Sequence, residues 1–327
     1  MVGNLPTGDL PSSFDRRRSL TEAKKEVTAP LSGARNDTLS RRRSKGLAQE
    51  AFAHRGRRQR LSSLLMGGVV IILAMSVIAI LGSLATPHDP TAMDIAARLQ
   101  PPNAVHPLGT DQYGRDILSR VMGGAGIALS VGTVAVGIGL GAGAIIGAVA
   151  GFYGGLLGEV LMRLMDALFA FPAILLAIAL LGALGPGHLN AMLAIGIVNV
   201  PVFARLTRAS VLAVREEGYV EAARAVGGTD WYILWRHILP NGMAPLLVQA
   251  SVSLATAILA EASLSYLGLG TQPPLPSWGR MLHEARMFMD RGPWLAIFPG
   301  LAIALTVLGF NFLGDGLRDY LDPRRGS

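Results

Sequence analysis

The chain has 327 residues, of which 51% are hydrophobic and only 16% charged, and it contains 40 glycines, a combination that marks a helical membrane protein rather than a soluble domain. The absence of cysteine excludes disulfides, thiolate metal sites and cysteine nucleophiles. All the lysines, Lys24, Lys25 and Lys45, precede the first apolar run, so none is placed to serve a phosphate-binding loop further on, and the chain does not hydrolyse ATP by that motif.

The net charge of +7 is concentrated in residues 1–60, which hold fourteen Lys or Arg against six Asp or Glu. A Ser-, Gly- and Arg-rich stretch before a membrane span reads as a solvated, largely disordered cytoplasmic tail attracted to anionic lipid, in preference to a nucleic-acid-binding arm. A cleaved signal peptide is not expected, because the region before the first apolar run is far too long for an n-region and the run itself is long enough to span.

Charge-poor runs of the ~20 residues that a bilayer requires occur at 61–85, 126–152, 164–185, 189–211, 243–267 and 294–313. Backbone in hydrocarbon must pair within its own segment, and no run alternates as barrel strands do, so each run is expected to be a helix. The expected fold class is an all-α polytopic membrane protein with six transmembrane helices. Its divisions are a tail at 1–60, a first span at 61–85, an outer loop at 86–125, a core of five spans at 126–323 and a short C-terminal tail at 324–327. With both termini in the cytoplasm, the tail, the loops at 153–163 and 212–242 and the C-terminus carry 23 of the 29 Lys and Arg; Arg98, Arg115, Arg120, Arg280, Arg286 and Arg291 are the remainder. The positive-inside rule favours that orientation.

In the second run Gly139, Gly143, Gly147 and Gly151 recur every fourth residue, a spacing that lets another helix approach closely. Gly139-x-Gly141-x-x-Ala144 matches a dinucleotide fingerprint only superficially, since it lacks a preceding strand and a following acid.

The loop at 212–242 is polar and patterned. Tyr219, Ala222, Ala223 and Val226 share one helical stripe, with Glu217, Glu221 and Arg224 on the other side. Gly227-Gly228 supplies a helix stop, and Thr229 or Asp230 a cap for a second helix. Trp231, Leu234, Trp235 and Ile238 then recur at i, i+3, i+4 and i+7 as an apolar face suited to the membrane interface, and Pro240 ends or kinks that helix. Such a segment is either a lever for a soluble partner, because packed helices shift as rigid elements, or an ordinary loop lying on the membrane.

Glu221-Ala222-Ala223, Gly227 and Leu239-Pro240 resemble the EAA motif of ABC importer permeases, which reads EAA, three residues, G, nine residues, I-x-L-P. His237 stands where the motif has isoleucine, and Arg236 to Asn241 is similar to the form common in the peptide branch. His106 to Arg120 resembles the LGTDxxGRDxxSR signature of the second permease subunit of dipeptide, oligopeptide and nickel importers. Glu261 to Gly270 and Pro273 to Gly279 resemble its EASLSFLGLG and PSWG elements. The resemblance spans roughly residues 60–323 and implies a type I importer in a prokaryotic plasma membrane. This subunit would pair with a homologous permease and engage two ABC ATPase subunits, which would bind ATP and Mg, while an external solute-binding protein delivers substrate. No cofactor is expected in this chain, and peptides are the implied substrate, with nickel or other peptide-like solutes as the alternative.

The resemblance implies a coupling role for Glu221, Ala222, Ala223 and Gly227, with Arg224 and Asp230 as further contacts. Glu221 could instead form a surface pair with Arg224. Glu261, an acid near a span end, is a candidate for the pathway or gate or a structural partner for Arg280. Asn199, Gln249, Ser251 and Ser253 are candidates to line the pathway, or to bond helix to helix. His88-Asp89, His106-Asp111 and His283-Glu284 lack the i,i+4 spacing of a helical metal site, and the last begins HEARM rather than HExxH, so no metal site is expected. A secondary transporter or channel is the competing class, although broken helices with buried ionisable residues at mid-membrane would be its sign.

Overall fold

The computed structural model describes residues 64–321; the tails expected at 1–60 and 324–327 lie outside the described residues. Helix α1 (Leu64–Leu84) is almost wholly apolar, and in its most apolar window only 11% of the residues are buried within the chain. It touches α11 (Trp294–Leu321) through small residues: a β-carbon added to Gly68 would sit 2.7 Å from the Leu313 nitrogen.

Helix α2 (Ile117–Tyr153) begins inside the region expected to be outer loop. The Asp116 carboxylate caps it by accepting from the Ser119 amide at 2.8 Å. The charges that depress hydropathy around residue 116 are therefore the cap and first turn of a helix about 55 Å long. It packs along α5 (His188–Val214) through the expected glycine row. A β-carbon on Gly139 would stand 2.7 Å from the Asn199 β-carbon, one on Gly143 2.6 Å from that of Phe203, and one on Gly151 3.0 Å from the Arg208 carbonyl. At Gly147 the Ala204 carbonyl leaves no room at all.

The run expected as one span at 164–185 is broken. Helices α3 (Gly155–Phe169) and α4 (Ala173–Leu184) meet at 90°, because Pro172 has no amide to give the helix and drives Phe171 out of helical conformation. Helix α3 also replaces the loop expected at 153–163. Gly158, Met162 and Met165 bury one face of it, while Glu159, Arg163 and Asp166, which interrupt the apolar run, are exposed on the others. Among the described residues five helices are long and apolar enough to cross a bilayer, α1, α2, α5, α9 (Met243–Tyr266) and α11, and the bent pair makes a sixth crossing if taken as one span.

The two largest apolar cores among the described residues hold the bundle. One joins α1, α2, α9, α11 and the short α10 (Trp278–Ala285) around Ile117, Ile258 and Trp278; the other joins α2, α4, α5 and α9 around Val131, Leu181, Phe203 and Leu264.

Candidate functional site

The segment after α5 folds as α6 (Gly218–Ala225), α7 (Asp230–Ile233), a π turn (Leu234–Ile238) and α8 (Leu239–Asn241). Gly227, at φ +84°, turns the chain after α6. The Gly228 amide reaches the Ala223 carbonyl at 3.0 Å and the Gly227 amide that of Arg224 at 2.9 Å, the paired bonds of a Schellman stop. Thr229 supplies the cap, accepting from the Tyr232 amide at 3.4 Å.

The apolar stripes are distributed differently from their expected pattern. In α6 the buried residue is Val220, with Ala223 half-buried beside it; Tyr219, Ala222 and Val226 face outward, Val226 with 87% of its surface exposed. In the second helix the π turn ends two residues before Pro240, whose ring clashes with the carbonyl four residues back in a regular helix. The wide turn shifts the register, so Ile233, Leu234 and Ile238 are buried while Trp231 and Trp235 are exposed, their rings 5.3 Å apart.

Val220, Ile233, Leu234 and Ile238 pack on Ala148 and Phe152 of α2 and Val211 of α5. Each such burial contributes about 1.5–3 kcal/mol, so the segment is anchored to the end of the α2–α5 pair. Arg215 adds a bond from its Nη1 to the Gly151 carbonyl at 3.1 Å. Glu221 is exposed in the first turn of α6, where the helix dipole favours a carboxylate. The pairing with Arg224 is not made among the described residues; the Arg224 guanidinium instead lies 5.9 Å from the Phe152 ring centroid. Asp230 is exposed at the start of α7. Partial desolvation and the Glu217 carboxylate hold the Tyr219 phenol above its ordinary range, opposed by a hydrogen bond with Asn241.

A groove of about 730 Å³ opens between the α3–α4 bend, α5 and α9. Asn199, Gln249 and Ser253 line it, and so do Thr256 and Ser263, which sequence reading overlooked. Its walls are otherwise apolar, with Phe169, Phe171 and Pro172 at the bend. The polar groups bond mostly along their own helices: Asn199 to the Ile195 carbonyl at 2.8 Å, and Gln249 to the Ser253 hydroxyl at 3.2 Å.

Ser251 and Glu261 are not among the residues lining this groove. Ser251 is buried on the side of α9 that meets Gly314 of α11. Glu261 is 1% exposed, and one oxygen of its carboxylate accepts from Ser265 at 2.6 Å, Ser277 at 3.0 Å and Thr271 at 3.2 Å. It therefore gathers the chain after α9 instead of pairing with Arg280, which bonds to Glu284 at 3.3 Å.

At the opposite end of α2 from α6, residues 109–117 fold as a tight turn around Asp111. Its carboxylate accepts from the amides of Tyr113 and Arg115 and from the Arg115 guanidinium at 2.6 Å. Arg115 reaches Glu284 of α10 at 2.7 Å, and buried Arg120 approaches the same oxygen at 3.4 Å. Glu284 is a further structural anchor: besides Arg280 one turn before it, its partners Arg115 and Arg120 lie more than 160 residues earlier, which no local spacing announces.

Residues 143–327 match the family described as binding-protein-dependent transport system inner membrane component, and residues 55–102 match the N-terminal transmembrane domain of oligopeptide transport permease C. Among curated relatives, the chain is 47% identical to the dipeptide transport system permease protein DppC of Alkalihalophilus pseudofirmus, over 80% of this chain and 86% of that one. It is 43% identical to the probable D,D-dipeptide transport system permease protein DdpC of Escherichia coli, over 81% and 89%. It is 46% identical to the glutathione transport system permease protein GsiD of Pectobacterium atrosepticum, over 79% and 86%. A solved chain of the MetNI methionine ABC transporter is 19% identical, with a TM-score of 0.49 over 62% of this chain and 94% of that one.

Proposed function

The chain belongs to the family of binding-protein-dependent transport system inner membrane components, a multi-pass permease subunit of an ABC importer, and from that premise we propose that α6–α8 is the element by which ATPase subunits move it. The observation that carries this is the two-sided build of the segment. Its inner face is fixed to α2 and α5 by fully buried Val220, Ile233 and Ile238, while its outer face presents Tyr219, Ala222 and Val226, which are exposed and stand outside every apolar cluster among the described residues. An anchored helix with an uncovered apolar face is suited to transmit a push from a soluble partner into the spans behind it.

In this proposal Glu221 and Asp230 supply polar contacts at the rim, Ala222 lets the partner surface approach, and Gly227 sets the angle between the two helices. The energy source is a pair of ATPase subunits, in keeping with the lack of a suitably placed lysine here. A homologous permease covers the groove lined by Asn199, Gln249 and Ser253, and an external binding protein supplies the solute. Both termini lie in the cytoplasm of a prokaryotic cell, in accord with the distribution of arginine. Short peptides are the proposed substrate, supported by the dipeptide and glutathione transport for which the relatives are named and by groove walls that are apolar with a few amides and hydroxyls.

The test is ATPase activity of the complex reconstituted with its homologous permease, ATPases and binding protein, in the presence of di-, tri- and pentapeptides. Stimulation by one peptide length, abolished by Gly227→Trp in a complex that still assembles, is the expected result. Normal stimulation of that variant would refute the coupling role, and stimulation by no peptide would refute the substrate class.

A further inference from the structure

We propose that His88, His106 and Asp116 form a site for a divalent transition-metal cation such as zinc, at the end of α2 opposite the coupling segment. The residues are widely separated in sequence, and the fold brings one ligand atom from each within 4.8 Å of the others. His106 Nδ1 lies 3.0 Å from Asp116 Oδ1 and His88 Nδ1 lies 3.9 Å from the same oxygen, with the two rings 4.7 Å apart and tilted by 38°. A zinc ion bound at its usual distances by two imidazoles and a carboxylate in tetrahedral array needs ligand atoms about 3.3 Å apart. The existing separations bracket that value, and a small swing of the His88 ring, whose side chain is 39% exposed, closes the difference.

Three further features fit a cation better than a hydrogen bond alone. His88 Nδ1 is shut off from solvent and has no hydrogen-bond partner among the described residues, a costly condition for a buried polar atom that a metal bond would relieve. The Asp116 carboxylate is already oriented: its Oδ2 accepts from the Ser119 amide at 2.8 Å and hydroxyl at 2.7 Å, which leaves Oδ1 turned to the imidazoles. Ser119 also accepts the His88 amide at 3.0 Å, so one hydroxyl fixes two of the three ligands, the kind of outer support that metal sites use. Two imidazole nitrogens and one carboxylate oxygen suit zinc, cobalt or nickel rather than magnesium or calcium. In the bound form His106 carries its proton on Nε2, and the metal replaces the present contact between Nδ1 and Asp116.

The expectation of no metal site rested on pairs close in sequence; the set found here joins residues from the chain after α1, the turn before α2 and the α2 cap. Occupancy would staple those three pieces together. This site stands apart from the coupling proposal and survives its failure.

The experiment is calorimetric titration of zinc into the full-length, metal-stripped chain purified in detergent without a histidine tag, with cobalt absorption as a second readout of ligand geometry. Saturable binding of one equivalent is expected, weakened about tenfold or more by His88→Gln and by His106→Gln and unchanged by His283→Gln. The His88→Gln variant leaves the α2 cap intact and guards against a folding defect. No saturable binding by the wild type, binding unaffected by the His88 and His106 variants, or binding lost in His283→Gln would each overturn the proposal.

Discussion

At the scale of single residues, the two adjacent alanines of the EAA segment have different jobs. Ala222 is exposed on the outer face of α6 and Ala223 is half-buried against the cluster of Val220 and Ile233. Ala222→Trp is therefore expected to leave the thermal unfolding of the detergent-solubilised chain within about 0.5 kcal/mol of wild type while abolishing substrate-stimulated ATPase in the complex. Ala223→Trp is expected to destabilise by about 1–3 kcal/mol through overpacking. Equal melting of the two variants would contradict the assignment of faces. Glu261 offers a second contrast: Glu261→Gln keeps an acceptor for Ser265, Thr271 and Ser277, whereas Glu261→Ala strands three buried hydroxyls and should lower stability by at least 1 kcal/mol more. Comparable melting of Glu261→Gln and Glu261→Ala would show that these bonds contribute little.

At the scale of elements, the anchoring of α7 and the π turn decides whether the segment can transmit force. Ile233→Ala and Ile238→Ala each remove a fully buried side chain and are expected to cost about 2–5 kcal/mol. Because the cluster sits at one end of the α2–α5 pair, limited proteolysis should cut first within 215–242 in these variants, with the spans still protected; initial cleavage elsewhere would argue against a locally held segment. Much of this was legible in sequence. Paired glycines announced the stop after α6, Thr229 and Asp230 a cap that the structure assigns to Thr229, and four-residue spacing the seam on α2. The rest depended on distant partners or on backbone departures that leave no period. A π turn moves two tryptophans off the expected stripe, Pro172 folds one apolar run into two helices, and charges at α2's start hid its first turn from a hydropathy argument. Pairings such as Arg115 with Glu284 follow only from tertiary contact.

At the scale of the whole molecule, α2 and α5 run side by side with almost no side chain between their backbones, and α6–α8 is fastened to their common end. That assembly should move as one body. Spin labels on position 235 of the π turn and position 189 at the far end of α5, Trp235 and Leu189 both being exposed, are expected to keep their separation when the reconstituted complex passes from nucleotide-free to ATP-bound. A change of several ångströms would place a hinge between α5 and the π turn. The seam between α2 and α5 also sets a limit on how this gene can drift. Any change in the first two bases of the codons for Gly139, Gly143, Gly147 or Gly151 that still encodes an amino acid adds a β-carbon where a neighbouring atom already lies within 3.0 Å. Sequence variation along α2 should therefore carry a gap every fourth codon, a rhythm imposed by the thickness of two helices and independent of what the transporter carries.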